Sequence, residues 1–299
     1  SLSKLAKDAR VDLFHEPHYT LPFGLRSSRV TTIADLTHLR FPEYFSAPKR
    51  LYASTIIRHA CSASDAILTF SEFSKNDIVK EFRVSPDRIR VTYPGVSEEY
   101  RPLPSPERRM ELRKKFGVRD RMILYVGNLK PHKNVPTLLR AVAALPNRDE
   151  YTLALVGEKM AENSAMLTEI KRLGITDLIV NPGRVSKDEL TQYYQCADAV
   201  VLPSFYEGFG ASQTEAMAFG VPVIGSCAAS IPEVLGEAGL LFDPKSSEEL
   251  TARIEMIFSD TSLRADLVRK GLERCRRYSW KACALETIAI YNQVAGASA

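Results

Sequence analysis

Short aliphatic or β-branched runs alternate along this chain with stretches whose apolar residues recur at helical spacing. The second half shows it best. Met122–Val126, Tyr151–Val156, Leu178–Val180, Ala199–Leu202 and Val221–Ile224 read as buried strands. The segments Val135–Leu145, Met166–Leu173, Lys187–Cys196, Ser212–Phe219 and Ile231–Leu235 read as helices. The first hundred residues keep the rhythm, with strands at Val11–Phe14, Arg29–Ile33, Ala66–Phe70 and Ile89–Thr92 and helices at Leu51–Cys61 and Ser74–Phe82. Strands alternating with helices at this spacing form parallel sheets covered on both faces. Segment 94–107, with Pro94, Gly95, Pro102, Pro104 and Pro106, is rich in turn formers and reads as a linker. Residues 250–299 are helical, with a bend at Tyr278–Trp280. No internal repeat or low-complexity segment interrupts the alternation. The pattern predicts an α/β protein of two doubly wound domains, 1–106 and 107–280.

Composition narrows the class. The 299 residues are 45% hydrophobic and 25% charged, which excludes a disordered chain. No run of eighteen apolar residues marks a membrane span, and Ser1–Arg10 is too polar for a secretory signal. Five cysteines, at 61, 196, 227, 275 and 283, are odd in number and lack C-x-x-C spacing, which argues against a disulfide framework or zinc site. A reducing, cytoplasmic setting fits, with Cys196 and Cys227 as small core residues. Charge is uneven: residues 1–120 carry 21 Lys and Arg against 15 Asp and Glu, and the remainder 19 against 21. That excess is too small and too dispersed for a nucleic-acid binder. The densest run, Arg108, Arg109, Arg113, Lys114 and Lys115, reads as a solvated helix face. The sharper alternative is a peripheral contact with anionic lipid at the inner face of a membrane.

Open α/β sheets bind ligands beyond the carboxyl ends of their strands. After Val126 comes Gly127-Asn128-Leu129-Lys130-Pro131-His132-Lys133-Asn134. A glycine at the strand exit, two lysines and an imminent helix start suit an anion, although a solvated turn would look the same. After Val180, Arg184 brings a second cation to the same sheet edge, and two such loops together suit a diphosphate. The strongest feature is Pro203-Ser-Phe-Tyr-Glu207-Gly-Phe209-Gly210-Ala211-Ser-Gln-Thr-Glu215, followed by Gly220-Val-Pro-Val223. Gly208 and Gly210 keep the loop slim, and a helix begins near Ala211. Glu215 lies one turn into that helix. A carboxylate there is electrostatically awkward beside an anion unless it accepts hydroxyl protons, as from a sugar or ribose. The plainer reading is a glutamate that only complements the helix dipole.

The Glu207-x7-Glu215 block resembles the signature of retaining glycosyltransferases of family 4. Gly127–Asn134, Gly183–Leu190, Ala197-Asp198, Ile231–Val234 and Ser279-Trp280 follow in that family's order. Val11–Pro22 and Thr32–Pro42 resemble its mannosyltransferase-like branch. The resemblance spans 11–292. It implies a GT-B fold, two Rossmann-like domains facing each other across a cleft, with helix 281–299 returning to the first domain. It also implies transfer of a hexose, mannose first, from a nucleoside-diphosphate sugar to a glycan or lipid-linked acceptor, without metal or other cofactor. GDP is the first expectation for the donor base and UDP the second. By the same resemblance Glu207 contacts the donor sugar, and Lys133 and Arg184 hold the diphosphate as leaving group. Gly127, Asn128, Lys130, Phe209, Gly210 and Ala211 line the donor site, and Glu215 takes ribose hydroxyls. Trp280 is a packing residue at the bend.

Three departures qualify the match. Asn128 stands where the family often has arginine, which shifts load to Lys133 and Lys130. Ala34 precedes Asp35 where that branch usually has a histidine facing the sugar. It is an engineered replacement, natural drift or a compensated change, with His15 and His38 as acceptor-side substitutes. The first domain also reads as shorter than the family's, its sheet edge left for a dimer partner or another segment to complete. Three functions follow in order: an active hexosyltransferase, a non-catalytic nucleotide-binding relative, and a nucleotide-sugar epimerase on the same architecture.

Overall fold

The structure, a computed structural model, describes residues 2–44, 46–103 and 105–296, apart from the side chain of Glu162. The linker residue Pro104 lies outside the described residues. Two compact units divide the chain. The first holds the residues up to Gly95, Glu207–Phe209, and those from Tyr278 on; the second holds Val96–Tyr206 and Gly210–Arg277. The first division falls within the turn-rich 94–107 segment. Glu207–Phe209 joins the first unit from the far side of the sequence, which no local pattern foretells.

The first unit is built on β1 (Leu13–Glu16), β2 (Ser28–Thr32), β3 (Ala66–Thr69) and β4 (Ile89–Val91). These four strands lie in sequence order and pair in parallel throughout. The inner strand β3 is buried at every residue, whereas the edge strand β1 is only half-buried. One face packs Ile33, Ile57, Ile67, Ile78 and Ile89 together. The other packs Val30, Ala66 and Leu68 against Ile290, Tyr291 and Val294 of the last helix, Trp280–Gly296. That helix begins at the Tyr278–Trp280 bend. Trp280 fills the expected packing role only in part: the residue is 59% exposed, while its backbone and Cγ crowd against Gly95.

The second unit carries β5 (Arg121–Gly127), β6 (Tyr151–Gly157), β7 (Ile179–Gly183), β8 (Ala199–Leu202), β9 (Val223–Ser226) and β10 (Gly239–Phe242). Their order is β10-β9-β8-β5-β6-β7, and every pairing is parallel. The direction of strand addition reverses beside β5, which places the loops after β5 and β8 at a topological switch point. Its core unites Ile123, Leu138, Leu153, Val201, Ile224 and Ile254. The sequence reading missed β10 and started β9 two residues early, at Val221. Pro222 leaves its carbonyl to accept from Val200 N–H at 3.0 Å before the strand proper begins.

Asp198, just ahead of β8, anchors this unit. Its carboxylate accepts from Arg109 (2.7 Å), Arg113 (2.9 Å), Arg264 (3.2 Å) and the Met122 N–H (2.8 Å). The basic run is therefore not simply a solvated face. Arg109 and Arg113 are spent on Asp198, while Arg108, paired with Glu111, and Lys114 and Lys115 remain exposed. Cysteine placement is also corrected: Cys196 is fully buried, but Cys227 is exposed. Among the described residues no helix is long and apolar enough to cross a membrane.

Candidate functional site

Because the second unit's strands are all parallel, its carboxyl-end loops share one edge. Gly127 closes β5, Gly157 closes β6 and Gly183 closes β7, with Gly127 opposite Gly157 in register. Gly157 adopts φ +131°, and a Cβ there would lie 2.3 Å from the Gly127 carbonyl oxygen. Only glycine tolerates that conformation, so the edge has a floor of backbone that a ligand can approach closely. Gly157→Ala is expected to cost about 1–3 kcal/mol of stability through this strain. Urea denaturation followed by circular dichroism checks it, and an unchanged midpoint would show that the loop simply relaxes.

The expected donor-side residues of this unit gather on that edge. Lys130 and Lys133 follow β5 in a single 3-10 turn, Arg184 follows β7 directly, and Gly210 caps the helix Ala211–Ala218 that follows β8. Lys130 and Arg184 are exposed, and among the described residues neither is ion-paired. Lys133 is half-buried. The β5 loop is fixed by Asn128, already expected at the donor site, and by Glu158 and Tyr125, which the sequence did not point to. Glu158 accepts the Leu129 N–H at 2.7 Å, and Asn128 accepts the Lys130 N–H at 3.1 Å. The Tyr125 hydroxyl donates to the Asn128 carbonyl at 2.5 Å. Asn181 in turn holds the β6 exit, donating to the carbonyls of Leu155 (2.7 Å) and Glu158 (3.0 Å). Buried Asn134, at φ +55°, donates to the carbonyls of Pro203 (2.9 Å) and Pro244 (2.7 Å). One amide thus ties together the loops after β5, β8 and β10.

Glu215 lies one turn into the helix Ala211–Ala218 and is partly buried. Its Oε2 accepts from the fully buried Tyr194 hydroxyl at 2.7 Å. Burial pushes the Glu215 carboxyl up from its ordinary value, and the Tyr194 hydrogen bond opposes that. Burial also raises the Tyr194 phenol well above its ordinary value, so it stays a donor. Cations, free helix N–H groups and a carboxylate acceptor on one edge suit an anion that also carries vicinal hydroxyls.

The remaining predicted residues lie in the first unit. Glu207 is half-buried, and Gly208 beside it approaches Ala34 so closely that a Cβ would lie 2.6 Å from the Ala34 oxygen. The Gly208 carbonyl accepts from Ser74 at 3.4 Å. Phe209 is buried with Tyr93 and Tyr278, at ring separations of 6.3 and 5.4 Å, so its side chain is core while its backbone borders the loop. Asp35 accepts the Thr37 N–H at 2.8 Å, a local turn bond. His15 has both ring nitrogens engaged, Nδ1 with the Tyr291 hydroxyl at 2.5 Å and Nε2 with Thr32 at 2.9 Å. His38 is buried beside Tyr19. Burial lowers the pKa of both histidines, and Asp35 partly offsets this at His38. For His15 these are the surroundings of an internal hydrogen-bonding group. Lys133 and Arg184 thus belong to one unit and Glu207 to the other.

The family described as Glycosyl transferases group 1 matches residues 108–274, and that described as Glycosyltransferase Family 4 matches residues 1–100. The O-antigen chain mannosyltransferase B of Escherichia coli is 33% identical over 96% of this chain and 75% of its own length. The chain belongs to the glycosyl transferases group 1 family. A second relative, the MMP alpha-(1->4)-mannosyltransferase of Mycolicibacterium hassiacum, is 32% identical over 76% of this chain and 54% of its own. The fold of this family member also matches the sucrose-phosphate synthase of Thermosynechococcus elongatus, with TM-score 0.84 and 22% identity over 99% of this chain and 77% of that one. A HepE structure from Anabaena in complex with UDP and glucose matches with TM-score 0.83 and 22% identity, over 97% and 80%. The two parallel-sheet domains are those of the GT-B glycosyltransferase fold.

Proposed function

We propose that this chain transfers a hexosyl group, mannosyl first, from a nucleoside-diphosphate sugar to a hydroxyl of a glycan or lipid-linked acceptor, with retention and without a metal. The observation that carries the reading is the shared edge of the second unit: the backbone floor at Gly127, Gly157 and Gly183, the cations Lys130, Lys133 and Arg184, the helix start at Ala211, and Glu215. The mannosyltransferase names of the two relatives support the choice of sugar. The bond from the anomeric carbon to the diphosphate breaks, and negative charge develops on the leaving group. Lys133 and Arg184, on the loops after β5 and β7, stabilise that charge. The acceptor oxygen forms the new bond on the same face of the sugar and passes its proton to the departing diphosphate oxygen, which becomes basic as its bond to the anomeric carbon breaks. Glu215 takes the ribose hydroxyls, and Glu207 contacts the sugar.

The test is transfer from GDP-mannose, UDP-glucose and UDP-N-acetylglucosamine, in EDTA, to polyprenyl-linked and free mannosides. Mannosyl transfer with an α-linked product from the α-linked donor supports the reading; a β-linked product removes retention. Ala34 favours the second reading, a nucleotide-binding relative without turnover. If that position faces the sugar, Ala34→His raises the rate of transfer or donor hydrolysis. Saturable GDP binding with no turnover in either form would leave the non-catalytic reading standing.

A further inference from the structure

We propose that Tyr194 is a positioning residue for nucleotide recognition: its hydroxyl holds one oxygen of Glu215 so that the other is presented to the vicinal hydroxyls of a ribose. The inference rests on the reading of Glu215 as the ribose acceptor. Tyr194 is fully buried and donates to Glu215 Oε2 at 2.7 Å. Among the described residues Oε1 has no hydrogen-bond partner. A carboxylate accepts at both oxygens, so Oε1 keeps its capacity for a ligand.

The phenol is itself held from two sides. Its ring stacks on Phe219 with centroids 5.1 Å apart and planes 12° from parallel, and Phe219 stacks on Tyr100 at 4.7 Å. Tyr194 lies on the helix Lys187–Cys196, whose start is fixed by a capping box in which Ser186 and Glu189 satisfy each other's backbone N–H groups. A glutamate side chain otherwise rotates broadly at its last torsion. One short bond from a rigid donor removes that freedom before a ligand arrives and keeps Oε2 paired where water is excluded. It also favours the ionised carboxylate against the burial that raises its pKa.

A merely structural tyrosine predicts a different outcome, and calorimetric titration of the chain with GDP and 2′,3′-dideoxy-GDP tells them apart. The wild type is expected to prefer GDP. Tyr194→Phe should weaken GDP about tenfold while changing dideoxy-GDP by less than about twofold. Equal losses for both ligands, or an unchanged GDP affinity, would overturn the role of Tyr194. If Tyr194→Phe fails to fold, Phe219→Leu keeps the hydroxyl but loosens its support, and the same GDP-selective loss is expected; a loss shared by both ligands again overturns it. Glu215→Ala isolates the underlying reading. If the wild type does not discriminate, or Glu215→Ala still does, the ribose role of Glu215 falls and this inference with it. If Glu215→Ala abolishes discrimination and Tyr194→Phe retains it, only the inference falls. UDP and its dideoxy form replace the pair if the chain takes uridine; binding of neither base defeats the underlying reading.

Discussion

Asp198→Ala is expected to lower the unfolding free energy of the second unit by about 3–5 kcal/mol, the loss that follows when one partner of a buried ionic cluster is removed. Asp198 is only 10% exposed at its side chain, yet it receives three guanidinium groups and a backbone N–H. Without it, Arg109, Arg113 and Arg264 face one another around an uncompensated gap, and the Met122 N–H at the start of β5 loses its acceptor. Asp198→Asn keeps an acceptor oxygen but no charge, so its loss should be smaller. Urea denaturation of both variants at neutral pH, followed by circular dichroism, measures the difference. A loss below about 1 kcal/mol for the alanine variant would mean that solvent screens the cluster as it does a surface pair.

Lys133→Ala is expected to weaken nucleoside-diphosphate binding by about 1.5–3 kcal/mol, the range for a hydrogen bond to a charged group. Lys133 is half-buried and closes the 3-10 turn whose path Glu158, Tyr125 and Asn128 already fix. Little ordering should therefore be needed when a diphosphate arrives. Calorimetry with GDP and UDP at fixed ionic strength supplies the value, and an unchanged dissociation constant removes Lys133 from the site. Lys130→Ala should do less, because its exposed ammonium acts through water.

Most strands near the site were legible because they are short apolar runs ended by Gly or Pro, as at Gly127, Gly157, Pro203 and Gly225. The strand β10 was not, since Gly236 and Gly239 break its pattern and only pairing with β9 makes Gly239–Phe242 extended. The glycine at each of three strand exits was present in the sequence, yet only Gly127 was singled out there. Gly157 needed the register between β5 and β6. Glu158, Asn181, Asn134 and Tyr194 could not be recognised beforehand. Each is a lone polar residue whose partner comes from tertiary packing, and isolated polar residues leave no periodic signal. The same holds for Asp198, whose three arginines lie at 109, 113 and 264. The basic run was visible as charge, but not the fact that two of its members face inward.

The closure of the first unit by residues from Tyr278 onward bears on how the protein forms during synthesis. Val30, Ala66 and Leu68 leave the ribosome early, but the residue that completes their cluster is Ile290. Domains usually fold in the order in which they are made. Here the second unit is supplied by one stretch of chain, save three residues, and can be finished first. The nascent first unit must wait with an apolar sheet face uncovered, which makes it the natural client of a chaperone and the part most harmed by premature termination.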